Sequence, residues 1–216
     1  MERILQTPIQ VTGCGRTDTG VHATQFFLHF DSELELSSDF VYTMNQVLVP
    51  ELAVHGLWLG PENMHARFDA RSRSYRYKIH NAKSPFLRST SYYFRPELDL
   101  AAMNAGAEVI TGHAHFDAFC KSRTDNKTDI CRIDHCRWIK EDQRLEFEVT
   151  ADRFLRNMVR AMVGTLLLVG QAKLSLEELD TILESRKRSN AGESVPAHAL
   201  FLEKVEYDKT TWRKVG

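Results

Sequence analysis

The chain has 216 residues, of which 43% are hydrophobic, so it can bury a sizeable core in one large domain or two small ones. Its formal net charge of −1 gives no global sign of a nucleic-acid partner, although clustered arginines can still form a basic surface. The four cysteines form no Cys-x-x-Cys pair, and no apolar run is long enough to span a bilayer. We therefore expect a cytoplasmic protein with free thiols, and neither a disulfide scaffold nor a membrane protein.

Hydrophobic periodicity predicts a mixed α/β chain. Strands are predicted, in chain order, at residues 9–12, 25–30, 53–59, 74–80, 135–140, 145–150 and 200–207. Helices are predicted at residues 39–48, 100–111, 153–169 and 176–185, the last one preceded by a capping box of Ser175 and Glu178. Strands in adjacent pairs with helices between the pairs imply an α+β fold, an antiparallel sheet covered by helices on one face. The polar, aperiodic stretch 120–134 is predicted to be a surface loop that touches RNA.

The segment Gly-Cys-Gly-Arg-Thr-Asp-Thr-Gly-Val-His-Ala at residues 13–23 is the first candidate site. Its glycines permit a sharp turn that a ligand can approach closely. Asp18 would present a carboxylate there, and Arg16 a planar cation suited to phosphate. A plain turn, in which Asp18 bonds nearby backbone amides, explains the same spacing.

Two arginine clusters are the second candidate feature. Residues 67–78 hold Arg67, Arg71, Arg73, Arg76 and Lys78 against one acid, and residues 153–160 hold three more arginines. Solvated faces and phosphate-binding surfaces both fit these clusters.

A metal site is the third candidate feature. His113 and His115 lie near Cys120, but nothing completes a recognisable ligand set, so we predict no metal.

The run Gly-Arg-Thr-Asp-x-Gly-Val-His-Ala closely resembles the signature of the TruA family of tRNA pseudouridine synthases. Segments at 65–70 with 74–79, at 157–166 and at 195–202 resemble the family's later motifs in the same order. The resemblance implies two α+β halves related by a pseudo-twofold axis, with a central active-site cleft. The N-terminal half would be residues 1–62, with the catalytic aspartate loop, and the C-terminal half residues 63–216. Family members usually open with a strand that this chain lacks, so we expect a truncated N-terminal half.

The same resemblance assigns roles to residues. Asp18 would be the catalytic carboxylate, and Arg160 the partner that keeps it ionised and aimed. Tyr75 would stack on uracil and serve proton transfer, Leu200 would wall the base pocket, and Arg16 would help extrude the target nucleotide. A surface arginine, a cross-strand tyrosine and a core leucine are the plain structural interpretations of Arg160, Tyr75 and Leu200.

The resemblance further implies isomerisation of uridine to pseudouridine in the tRNA anticodon stem-loop by a homodimer that needs no cofactor. We expect Arg67 and Arg76 to bind the substrate RNA. An inactive or fragmentary tRNA-binding homologue is the alternative. A hydrolase is a third hypothesis, although the second carboxylate that glycoside hydrolysis usually requires is missing at any recognisable spacing.

Overall fold

The computed structural model describes residues 1–121, 128–142 and 144–215, without the side chain of Arg3. Internal contacts divide the chain into two units. The first unit comprises Met1–Arg16, Phe27–Ala70 and Tyr207–Gly216, and the second comprises Thr17–Phe26 and Arg71–Glu206. The predicted division into residues 1–62 and 63–216 remains a prediction.

Ten strands and five α-helices lie in the described residues. The strands are β1 (Thr12–Gly13), β2 (His22–Ala23), β3 (Leu28–His29), β4 (Leu57–Leu59), β5 (Ser72–His80), β6 (Tyr92–Tyr93), β7 (Ile133–Glu141), β8 (Arg144–Ala151), β9 (Leu200–Glu206) and β10 (Arg213–Val215). The helices are α1 (Glu2–Leu5), α2 (Phe40–Val47), α3 (Leu100–Thr111), α4 (Met158–Gly170) and α5 (Leu176–Ser185).

The second unit is built on a six-stranded sheet in the order β2-β9-β5-β8-β7, with β6 beside the end of β5. The long strands β9, β5, β8 and β7 pair antiparallel, whereas β2 joins β9 in parallel and β6 joins β5 in parallel. The predicted mixture of helices and largely antiparallel sheet is confirmed. The two parallel pairings do not follow from the sequence pattern, because each involves only two residues per strand.

Alternation along the long strands sorts their side chains onto two faces. Tyr77, Phe147 and Val149 are fully buried in one core with residues of α3, α4 and α5 such as Met162 and Leu183. Residues between them, including Arg76 and Glu148, are only partly buried and bond to one another. The helices therefore cover the apolar face, and charged side chains occupy the other.

Helix boundaries follow the capping residues. Helices α3 and α5 have the predicted bounds, since the side chain of Asp99 caps α3 and Ser175 with Glu178 forms the capping box of α5. Helix α4 begins at Met158, so the prediction of a start at residue 153 was wrong. Asn157 has a left-handed backbone with φ of 66°, which an α-helix cannot contain.

The first unit contains α1, α2 and two separate two-stranded sheets, β1 with β3 and β4 with β10. Its strands are shorter than the predicted 9–12, 25–30 and 53–59, and many of its apolar side chains, such as Leu28 and Leu59, are exposed. Phe27 packs against an aromatic cluster that includes Trp212, with ring centroids 5.9 Å apart.

The predicted RNA-touching loop at 120–134 is described only in part, because residues 122–127 lie outside the described residues. In the described remainder, Ile130 forms an isolated bridge with His115, and β7 already begins at Ile133.

Candidate active site

Asp18 lies in a tight turn that leads into β2. The backbone amide of Val21 donates to the carbonyl of Asp18 at 3.1 Å. Gly20, at the third position of this turn, has a φ of 88°, which side-chain-bearing residues rarely adopt. Strand β2 then pairs with β9 through His22 and Phe201, so the turn is anchored to the sheet of the second unit.

Arg160, in the first turn of α4, holds the carboxylate of Asp18. Its Nη1 donates to Oδ2 of Asp18 at 2.8 Å, and its Nε donates to the carbonyl of Val195 at 2.7 Å. The two side chains are 20% and 26% exposed, so the pair is shielded but open to a ligand. Because the guanidinium is planar, bonds in two directions fix the plane in which it meets the carboxylate.

A close backbone contact presses the segment after residue 191 onto α4. A Cβ atom on Gly164 would lie 1.8 Å from the carbonyl oxygen of Glu193, so only glycine permits this approach. The amide of Gly192 donates to Oγ1 of Thr165 at 3.0 Å. Gly164 and Thr165 thereby position the carbonyl of Val195 that Arg160 requires.

Tyr77, on β5, also holds the segment after residue 191 in place. Its hydroxyl donates to the carbonyl of Pro196 at 2.9 Å. Burial raises the pKa of Tyr77 well above its usual range, the nearby Tyr92 raises it further, and Arg160 opposes the shift. Tyr77 therefore stays protonated and keeps donating its hydrogen bond at neutral pH.

A pocket of about 610 Å³ opens beside Asp18, and we call it the Asp18 pocket. Its lining consists of Asp18, Thr19, Lys121, Asn157, Arg160, Arg188 and Ser194. Three cations thus face one carboxylate. Arg156 adds a further positive charge nearby, with its Nε 4.0 Å from Oδ1 of Asp18. Such a pocket suits an anionic, acceptor-rich ligand that reacts at a carboxylate.

Tyr75 and Leu200 lie on neighbouring strands of the same sheet. The register between β5 and β9 shifts between Ser74 and Tyr75, a bulge that changes the direction of the strand's side chains. The Tyr75 ring meets Phe154 edge-on at 5.0 Å, and Leu200 is buried in the core opposite Tyr77.

Arg76 bonds to glutamates on the charged face of the sheet. Its Nη1 donates to Glu146 at 2.7 Å and its Nη2 to Glu148 at 2.8 Å, while Glu203 lies 4.0 Å from its Nε. Arg137 also donates to Glu148, at 3.0 Å. A role for Arg76 in binding RNA therefore competes with these carboxylates.

Arg16 and Arg67 belong to the first unit and are exposed. The guanidinium of Arg67 lies 5.6 Å from the ring centroid of Phe68. Their contact with substrate remains a prediction.

The histidines of the candidate metal site bond to aspartates of the second unit. His113 meets Asp180 at 2.8 Å, and His115 meets Asp129 at 2.5 Å. Within residues 1–121, 128–142 and 144–215, no group of three potential metal ligands comes together. No helix of this part of the chain is long and apolar enough to cross a membrane.

Sequence patterns missed two residues of the Asp18 pocket, Arg188 and Ser194, and they placed Lys121 in the predicted RNA-contacting stretch 120–134 without linking it to Asp18. They lie far from residue 18 along the chain, and no local spacing links them to it. Asn157 could have been predicted from the sequence, because it is the first residue of the segment 157–166 that contains Arg160.

Comparison with known proteins identifies the family of the chain. A family model described as tRNA pseudouridine synthase matches residues 107–208. The tRNA pseudouridine synthase A of Bacteroides fragilis is 45% identical over 206 residues, which cover 94% of this chain and 82% of that protein. Proteins of the same name from Parabacteroides distasonis and Bacteroides thetaiotaomicron are 42% and 43% identical, covering 94% and 96% of this chain and 82% and 78% of their own length. The chain therefore belongs to the tRNA pseudouridine synthase family, whose members are isomerases that convert uridine to pseudouridine in tRNA.

Proposed function

We propose that this chain isomerises uridine to pseudouridine in the anticodon stem-loop of tRNA, with Asp18 as the catalytic carboxylate. The observation that carries the proposal is the pair of Asp18 and Arg160 at 2.8 Å, open to the Asp18 pocket. The anticodon stem-loop, a homodimer, a pseudo-twofold central cleft and a cytoplasmic location belong to the same proposal, and they rest on the family's motifs in this sequence.

The reaction breaks the N1–C1′ bond of uridine, turns the uracil and joins C5 to C1′. The proton leaves C5 and N1 gains one, so the atoms balance without a cofactor. The ribose passes through an electron-poor, oxocarbenium-like state, which a carboxylate can stabilise, attack or relieve by removing a sugar proton. Asp18 is suited to each role, since the hydrogen bond from Arg160 fixes the orientation of its carboxylate.

Other residues act around this centre. Tyr75 would stack on the uracil and move a proton at C5, and Leu200 would wall the base. Arg16 would help draw the target nucleotide out of its stack, which costs a few kcal/mol for a paired base. Arg67 would contact the RNA backbone.

The test is mapping of pseudouridine by nucleoside mass spectrometry in an unmodified tRNA transcript. We expect pseudouridine in the anticodon stem-loop with the unaltered chain and none with Asp18→Asn, which should still bind tRNA. Asp31→Asn, an exposed aspartate of the first unit, is the matched control and should keep activity. Binding without any pseudouridine would contradict the proposal in favour of an inactive RNA-binding protein. Released uracil would contradict it in favour of a hydrolase.

A further inference from the structure

The Asp18 pocket presents more positive charge than its own carboxylate can compensate. Arg160 is paired with Asp18. Lys121 and Arg188 also line the pocket, and among the described residues neither forms an ion pair with a carboxylate. The substrate uracil is neutral, so these two charges are not required to bind it.

Ser194 adds a hydrogen-bond donor to the pocket, next to Arg188. Its Oγ accepts from Nδ2 of Asn157 at 2.5 Å and from Nη2 of Arg188 at 2.9 Å. Both lone pairs of the hydroxyl are thereby used, and its O–H must point in a third direction. Among the described residues, no group accepts a hydrogen bond from this O–H, so the hydroxyl can donate to a ligand.

Arg188 has donors left as well. Its Nη1 donates to the carbonyl of Ala191 at 3.3 Å and its Nη2 to Ser194. A guanidinium carries five N–H groups, so about three of those of Arg188 stay available. These bonds to Ala191 and Ser194 hold the guanidinium against one edge of the pocket, which orders it before a ligand arrives.

We propose that Lys121, Arg188 and Ser194 form a binding site for a phosphodiester group of the substrate RNA, next to the reacting nucleotide. A phosphodiester accepts hydrogen bonds, carries a negative charge and donates nothing, which matches three donors of which two are cations. Uracil presents an N–H donor beside its carbonyls and fits a donor-only site less well. The inference rests on the proposed function, because it takes the RNA to be the ligand of the Asp18 pocket.

The test is the salt dependence of tRNA binding, measured in an Asp18→Asn background so that the substrate is not consumed. Each phosphate contact made by a cation steepens the plot of log affinity against log salt by about 1. We expect Lys121→Gln and Arg188→Gln each to flatten the slope by about 1. We expect Arg188→Lys to restore the slope. Ser194→Ala should leave the slope unchanged and weaken binding about tenfold, because it removes a hydrogen bond to a charged group.

Lys173→Gln is the matched control, since Lys173 is an exposed lysine of the same unit that does not line the pocket. We expect Lys121→Gln to fold normally, because no described bond depends on the exposed Lys121 side chain. Its slope therefore stays interpretable even if another variant misfolds. Unchanged slopes in Lys121→Gln and Arg188→Gln would overturn the inference, even where affinity falls, because the donors would then contact a base. Equal flattening in Lys173→Gln would overturn it too.

Pseudouridine formation by the unaltered chain is measured separately. Its absence would contradict the proposed function while the slopes still decide whether the pocket binds phosphate.

Discussion

Two regions of the second unit differ in the ratio of cationic side chains to carboxylates. On the charged face of the sheet, Arg76 pairs with Glu146 and Glu148, and Arg137 pairs with Glu148; we call these four residues the sheet ion network. In the Asp18 pocket, Lys121, Arg160 and Arg188 face Asp18 alone. One region satisfies its charges internally, whereas the other has cations left for a ligand.

The number of arginines in a segment therefore does not tell how many of their charges are left unpaired for a ligand. Residues 67–78 form the denser cluster in the sequence, yet the charge of Arg76 is paired with Glu146 and Glu148 of the same sheet. The pocket draws its cations from three separate segments. What distinguishes the two regions is the balance of charge within contact distance.

The largest expected effect comes from breaking the backbone contact that builds the pocket. Gly164→Ala places a methyl group 1.8 Å from the carbonyl oxygen of Glu193. We expect a loss of about 3 kcal/mol in the free energy of unfolding, because backbone must move to make room. Gly15→Ala is the control, since its added Cβ meets nothing within 4 Å. Urea denaturation measures both, and equal stabilities would contradict the contact.

The next effect comes from altering the pair inside the pocket. Arg160→Lys keeps the charge but cannot bond both Asp18 and Val195 in a fixed plane. We expect the single-turnover rate of pseudouridine formation to fall about 100-fold, as a displaced catalytic group does. Arg156→Lys is the control, because Nε of Arg156 lies 4.0 Å from the other carboxylate oxygen of Asp18. We expect its rate of pseudouridine formation to stay within about fivefold of that of the unaltered chain. Similar rates for both variants would contradict a special role of Arg160.

A smaller effect is expected in the sheet ion network. Glu148→Gln removes the charge that Arg76 and Arg137 share, on a side chain only 19% exposed. The free energy of unfolding should fall by about 1 kcal/mol, and the folded variant should form pseudouridine at the unaltered rate. Glu184→Gln, an exposed glutamate on α5, is the control for chemical denaturation. A large loss of rate in Glu148→Gln would give the network a part in catalysis.

The smallest effect sharpens the comparison most. A phosphate role for Arg76 and its bonds to two glutamates give opposite expectations for Arg76→Gln. With Glu146 and Glu148 at 2.7 and 2.8 Å, we expect the salt slope of tRNA binding to stay unchanged. A slope flattened by about 1 would show that Arg76 contacts phosphate and would end the contrast between the two regions.

The sequence predicted best what local chemistry decides. Helices α3 and α5 have the predicted bounds because Asp99 and Ser175 cap them. The start of α4 was missed because the left-handed Asn157 depends on its surroundings and not on helical periodicity. The strands of the first unit were predicted too long, since exposed residues such as Val11 and Leu59 have few partners to extend a ladder.

The site was predictable only where a motif marked it. Asp18 and Arg160 are 142 residues apart, and family resemblance alone linked them before the structure placed them in contact. Arg188 and Ser194 join them because Gly164 and Thr165 hold the segment from Gly192 onward against α4. Neither periodicity nor local spacing in the sequence predicts such a long-range contact.

The central claim, that Asp18 performs uridine isomerisation, is tested most directly by single-turnover release of tritium from a tRNA transcript labelled at uracil C5. Forming the C5–C1′ bond expels that hydrogen, so its release reports the bond itself. We expect release by the unaltered chain and by Asp31→Asn, and none above background by Asp18→Asn that still binds the tRNA. Release by Asp18→Asn at the unaltered rate would contradict the account.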